Sequence, residues 1–142
     1  MAKTAVIYWS ATGNTEKMAQ AIFSGISGAG AQAELFSLSE FAVKNIDDYE
    51  KIAFGCPSMG AVVLEEVEFE PFFASIEKQL PNKKVALFGS FGWGDGEWMR
   101  DWQERVKESG ALLFEEGLIV NLEPGAADIA NCEKFGKRFA ES

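Results

Sequence analysis

Between Ser10 and Thr15, six residues supply three hydroxyls (Ser10, Thr12, Thr15), a carboxamide (Asn14) and a glycine (Gly13), with Ala11 the one apolar member. That set can hold an anion. Gly13 reaches positive φ at little cost, so successive N–H groups can converge on one point, and a helix beginning there adds roughly half a positive charge. The apolar run from Thr4 to Trp9 precedes the segment and a helix-like stretch from Glu16 to about Ile26 follows it. Strand, loop, helix is the order that sets an anion on a helix N-terminus. The loop has no Lys or Arg, so a phosphate bound there keeps most of its charge. It is neither G-x-x-x-x-G-K-[ST] nor G-x-G-x-x-G, and an ordinary turn with Ser/Thr caps is the alternative reading.

Two more stretches have unusual chemistry. Pro57-Ser58-Met59-Gly60-Ala61-Val62-Val63-Leu64 is too apolar for a loop that only faces water, and Ser90-Phe91-Gly92-Trp93-Gly94-Asp95-Gly96 isolates an indole among three glycines. Glycines flanking Trp93 let backbone approach a flat ligand while the indole lies against it. Taken singly, Met59 could be a core filler and Trp93 a surface cap. Trp9, Trp98 and Trp102 read as helix–sheet packing residues, and the pairs Asp47-Asp48 and Glu65-Glu66 as solvated acidic faces.

The chain has no histidine, which removes His-based acid–base catalysis, His-containing triads and most zinc sites together. Any reaction here leans on a cofactor. With 13 Lys+Arg against 22 Asp+Glu the net charge is -9, which disfavours nucleic acid and anionic membranes and favours a basic protein partner. Cys56 and Cys132 make no C-x-x-C or metal-ligand spacing and read as reduced, small apolar residues of a cytosolic protein. The apolar N-terminal run is too short for a signal-peptide core or a membrane span, so a cytoplasmic location is expected.

At 142 residues, a single domain spanning 1–142 is expected. Strand candidates recur at Lys3–Trp9, Gln32–Leu38, Lys51–Cys56, Lys84–Gly89 and Leu112–Val120. Helical spacing fills the gaps at Thr15–Ser27, Phe69–Gln79, Glu97–Ser109 and Ala126–Ala140. The first, third and fourth strands are nearly continuous apolar runs, as in a parallel sheet covered on both faces. Alternating β and α predict a doubly wound α/β sheet with right-handed crossovers, whose ligand sits beyond the carboxyl ends of the strands. The three unusual stretches all leave those ends.

Ser10-Ala-Thr-Gly-Asn-Thr15, Gly55-Cys56 with Met59-Gly60, Ala86-Leu-Phe-Gly-Ser90 and Gly92-Trp-Gly-Asp-Gly96-x-Trp98-Met-Arg100 together resemble the flavodoxins, in particular the short-chain type of anaerobic bacteria. Glu66–Phe72, Leu118–Val120 and Glu123-Pro124 extend the resemblance to essentially the whole chain. It implies a five-stranded parallel sheet of order 2-1-3-4-5 with helices on both faces and non-covalent FMN. Ser10, Ala11, Thr12, Gly13, Asn14, Thr15 and Ser90 would hold the phosphate. Met59 and Trp93 would cover the two faces of the isoalloxazine, and Pro57, Ser58, Phe91, Gly92, Gly94 and Gly96 of the same loops belong to the FMN site, Ser58 standing beside Pro57 where it could supply a phosphate hydroxyl. The turn Met59-Gly60-Ala61-Val62 would touch flavin N5. Three positions depart from the pattern: Pro57 replaces a phosphate-binding Ser, and Ala61 and Val62 stand where Asp or Asn and then Glu are usual.

The resemblance further implies a monomeric one-electron carrier that docks on basic surfaces of ferredoxin- or flavodoxin-dependent oxidoreductases, not an enzyme with its own substrate. A phosphate dianion without a cationic partner, roughly 10 Å from the ring at an effective dielectric of about 40, opposes an added electron by roughly 0.8 kcal/mol for each of its two charges, which predicts a low potential. Two other functions suit the same topology. A flavin-dependent NAD(P)H or quinone reductase would oxidise NAD(P)H steadily. A receiver domain needs an acidic cluster at the end of the first strand, where this chain has Trp9-Ser10.

Overall fold

Residues of the first strand alternate between two apolar layers: Ala5 and Ile7 enter one core, Val6 the other. The structure, a computed structural model, describes residues 3–41, 44–59, 64–92 and 94–142. In chain order it contains β1 (Lys3–Tyr8), α1 (Asn14–Gly28), β2 (Gln32–Ser37), α2 (Leu38–Phe41), β3 (Lys51–Gly55), α3 (Phe69–Ile76), β4 (Lys84–Phe91), α4 (Glu97–Glu108), β5 (Leu112–Leu113), β6 (Leu118–Asn121) and α5 (Ala126–Glu141). The strands are parallel in the order β2-β1-β3-β4-β5, with β6 also paired to β4.

The two faces are covered differently. One face packs Ile7, Ile52, Phe54, Val85 and Leu87 against Phe69 and Phe73 of α3 and Trp98, Met99, Trp102 and Val106 of α4. The other packs Val6, Ala53, Ala86 and Phe88 against Met18, Ile22 and Ile26 of α1 and Cys132, Phe135 and Phe139 of α5. Small residues let α1 and α5 touch through backbone: a methyl at Gly25 would overlap the Glu133 carbonyl, and one at Gly136 the Ile22 carbonyl. That closeness fixes α1, and with it the loop at its N-terminus.

Several boundaries differ from expectation. The expected fifth strand is two, making a six-stranded sheet. Glu115 takes φ 51, the Gly117 N–H donates to Gln103 Oε1 at 2.7 Å, and Phe114 turns onto Phe135 and Phe139, so the backbone leaves the ladder between Leu113 and Leu118. β4 runs two residues past Gly89 because β6 pairs Ser90 with Val120 and Phe91 with Asn121. The helix expected to reach Gln79 is α-helical only to Ile76 and tightens to 3₁₀ over Glu77–Gln79. A second 3₁₀ turn, Ile46–Asp48, capped by Asn45, precedes β3, and Asp47 and Asp48 are exposed as expected.

Candidate functional site

At the switch point between β1 and β3, where the chain winds away in opposite directions, the carboxyl ends of β1, β3 and β4 converge. A cleft of about 190 Å³ lies there, lined by Ser10, Ala11, Thr12, Asn14, Thr15, Pro57, Ser58, Met59, Ser90, Phe91, Gly92 and Leu122. Eleven of these were expected from the sequence and one, Leu122, was not. Gly60, Ala61, Val62 and Trp93 lie outside the described residues. Gly94 (φ 76) and Gly96 (φ 94) serve the backbone beside the cleft, Gly96 as the residue before α4, where the Met99 and Arg100 N–H groups donate to its carbonyl.

The first loop is built by its own hydrogen bonds. Gly13, at φ 96, is the left-handed residue before α1. Ser10 Oγ accepts the N–H groups of Gly13 (3.1 Å) and Glu16 (3.3 Å), so the hydroxyl proton is left for an acceptor outside this turn. A helix N-terminus has orphan N–H groups by construction. Ser10 satisfies that of Glu16, and those of Asn14 and Thr15, whose residues line the cleft, find no acceptor among the described residues.

Thr15 and Ser90 form the floor. Thr15 Oγ1 and Ser90 Oγ are 3.1 Å apart, and the Ser90 N–H donates to Thr15 Oγ1 at 3.3 Å. Both residues are buried, Ser90 at 6% exposure. One hydroxyl donates to the other, which leaves one proton for a ligand, and the pair ties α1 to β4. Ser58 joins them through its N–H, which donates to the Ser90 carbonyl at 3.0 Å. The lining residues include no Lys or Arg. Hydroxyls and backbone N–H groups at a helix start, without a cation, fit a phosphate ester, and the apolar lining residues Met59, Phe91 and Leu122 fit a flat apolar group, the Phe91 ring being backed by Trp98 at 5.5 Å between centroids.

Around the cleft the structure corrects one reading and refines another. Glu65 is not a solvated acid: it is 7% exposed, and its carboxylate accepts N–H groups from Val67 (2.8 Å), Glu68 (2.6 Å) and Phe69 (2.9 Å) at the start of α3. Burial alone would raise its pKa, but the three donors outweigh that and hold it below the ordinary carboxylate value. Trp9 packs against the core as expected but is only half-buried, its Nε1–H donating to Glu68 Oε1 at 3.1 Å, whereas Trp98 and Trp102 lie fully within the core. Cys56, at the end of β3, is a free buried thiol, and burial pushes it up to about 12; Cys132 behaves alike. Neither is a nucleophile at neutral pH.

A larger hollow, of about 470 Å³, opens at the other end of the sheet beside Lys51, Lys83 and Lys84. Two of its ammonium groups are committed to backbone: Lys51 Nζ donates to the carbonyls of Phe139, Ala140 and Ser142, and Lys83 Nζ to that of Tyr49. The switch-point cleft is the better site because its donors are still to be used.

Comparison with known proteins agrees with this geometry. The family model described as flavodoxin matches residues 6–136. A flavodoxin of Clostridium beijerinckii is 46% identical over 135 residues, covering 95% of this chain and 97% of the relative, and one of Megasphaera elsdenii is 37% identical over 137 residues, covering 96% and 98%. The solution structure of two-electron reduced Megasphaera elsdenii flavodoxin superposes with a TM-score of 0.88 and 40% identity over 98% of this chain and 99% of that one. Sheet order, switch-point cleft and full-length similarity together place this chain in the flavodoxin family.

Proposed function

We propose that this flavodoxin is a low-potential carrier that holds FMN in the switch-point cleft and passes single electrons between proteins with basic docking faces. The observation that carries this is the donor set: hydroxyls and helix-start N–H groups converge where the sheet reverses, with no side-chain cation among the lining residues. Bound FMN supplies the redox chemistry. The chain's own part is binding, orientation and field. Ser10, Thr12, Ser58 and the Thr15–Ser90 pair, with the N–H groups of Asn14 and Thr15, would take the phosphate. Met59, Phe91 and Leu122 would line the ring side, and Trp93 and the Gly60–Val62 turn are proposed there from sequence.

Two features support a low potential. Phosphate charge held by neutral donors stays uncompensated. Two cations in the first turns of the helices that follow these loops are also paired, Lys17 of α1 with Glu123 at 3.5 Å and Arg100 of α4 with Asp95 at 2.9 Å, within a chain of net charge -9. The same acidic balance suits brief, charge-steered encounters with basic redox partners. In this reading the protein works as a monomeric, single-domain, cytoplasmic carrier rather than an enzyme with a substrate of its own, and no helix among the described residues is long and apolar enough to cross a membrane. The test is purification with flavin absorbance intact, followed by redox titration and assay with NAD(P)H. A yellow protein with low potentials and no steady NAD(P)H oxidation is expected; sustained NAD(P)H oxidation would replace the carrier with the reductase.

A further inference from the structure

Among the described non-glycine residues three have positive φ: Asn82 (71), Glu115 (51) and Leu122 (61). Asparagine tolerates that region through its short polar side chain, and Glu115 ties down its turn by pairing with Arg138 at 3.0 Å. Leu122 has neither excuse. A branched apolar side chain gains nothing locally from the left-handed conformation, and this one is 59% exposed, so it fills no core in return.

The backbone is nevertheless held in place from both sides. The Leu122 N–H donates to the Phe91 carbonyl at 2.8 Å, Asn121 Nδ2 donates to that same carbonyl at 3.2 Å, and the next residue, Glu123, reaches Lys17 of α1. The side chain lies against Gly92, where a Cβ would stand 3.4 Å from Leu122 Cδ2, and it forms part of the wall of the cleft. An exposed leucine alone is unremarkable on a protein surface. A strained one, clamped at the mouth of a ligand cleft and seated on a glycine, is a different observation.

We infer that Leu122 is a ligand-contacting wall of the cofactor cleft, held in a strained backbone conformation so that its methyl groups cover the ring-bearing part of the flavin. The inference rests on the FMN reading above. Leu122 offers no hydrogen-bond donor, and the polar end of the cleft is the Ser10–Thr15 loop, so its contact is with the apolar ring and not with the phosphate. Strain stored in the empty site is then offset when the ligand covers the side chain, and the position trades stability of the flavin-free chain for affinity.

Leu122→Asn and Leu122→Ala in the full-length chain separate the two effects. Asparagine suits positive φ and removes the methyl groups; alanine removes them while keeping a Cβ in the strained region. The measurements are the urea midpoint of the flavin-free protein and its affinity for FMN and for riboflavin, which lacks the phosphate. Leu122→Asn should raise the midpoint and weaken both flavins about five- to tenfold, the scale for uncovering part of a leucine side chain. Leu122→Ala should weaken both by a similar factor without raising the midpoint. Wild-type affinity in both variants would overturn the contact. A loss for FMN with none for riboflavin would place Leu122 at the phosphate instead, and a lowered midpoint in Leu122→Asn would make the residue structural; either result also overturns the inference. If the parent chain binds neither flavin, the FMN reading itself fails, an outcome distinct from any difference among variants.

Discussion

Removing the Glu65 carboxylate should unlatch one wall of the cofactor region. Glu65 ends the segment that begins at Pro57, and it is fixed from both directions: its N–H donates to Cys56 Sγ at 3.4 Å, and its carboxylate receives three N–H groups from the start of α3. The donors are not equivalent. Val67 is 80% exposed and Glu68 is exposed, so their N–H groups can turn to water, but Phe69 is fully buried and its N–H would be stranded. One stranded donor costs about 1–3 kcal/mol and loss of a helix cap about 0.5–2 kcal/mol, two views of overlapping contacts, so Glu65→Ala should cost about 2–3 kcal/mol. With unfolding entropy of about 2.1 cal/mol/K per residue, that lowers Tm by about 6–10 °C. Glu65→Gln keeps an acceptor for Glu68 and Phe69 but turns an NH₂ toward the Val67 N–H, and should cost about 1 kcal/mol.

The pH dependence separates this mechanism from simple loss of packing. The folded pKa of Glu65 lies below the unfolded one, so its contribution is complete above the ordinary carboxylate range and is lost as pH falls through that range and then through the folded pKa. Glu65→Gln carries no such titration. The stability gap between parent and Glu65→Gln should therefore be widest near neutrality and should close as pH drops to about 4 and below. Urea unfolding of the flavin-free chains across that range is the assay. A Gln variant as stable as the parent at neutral pH, or a gap that stays constant on acidification, would refute the capping argument.

Three further outcomes are expected. Trp93→Ala should weaken FMN binding by about 1–3 kcal/mol, from the burial and stacking scales, measured by quenching of flavin fluorescence; unchanged affinity together with unchanged potentials would take Trp93 out of the site. Raising ionic strength to about 0.1 M should slow electron transfer to a basic partner, because charges more than about 10 Å apart are then screened; a rate that is flat or rises with salt would count against acidic docking. Gly60→Val should lower the potential of the first one-electron step in a spectroscopic redox titration, since a type II′ turn puts φ > 0 at this position and a branched residue pays for it. If the first-step potential is unchanged, contact of this turn with flavin N5 does not set that potential.

The parts of this protein visible in its sequence are those whose signal is repeated along one element. Val6, Ala53, Ala86 and their alternating neighbours announce strands covered on both faces, and Ile129, Cys132, Phe135 and Phe139 announce the buried stripe of α5. The Ser10–Thr15 loop was legible because hydroxyls and a glycine sit between a strand and a helix, and the structure adds what those hydroxyls do: Ser10 caps, while Thr15 and Ser90 meet across 75 positions of chain. What stayed hidden depends on a single backbone angle or on a partner from another element. The break between β5 and β6 turns on φ at Glu115 and on a Gln103 side chain from α4, neither of which a nine-residue apolar-bounded run discloses. Glu65 could have been found, because a carboxylate a few residues ahead of an apolar run containing Pro71 is a helix-start signal, yet the adjoining Glu66 made the pair look like surface. Leu122 could not: next to Asn121 and Glu123 it is one apolar residue in a polar turn, and only its φ and its seat against Gly92 mark it out. The positions that sequence periodicity misses in this chain are thus the ones that join elements at the cleft, where each side chain answers to the site instead of to its own helix or strand.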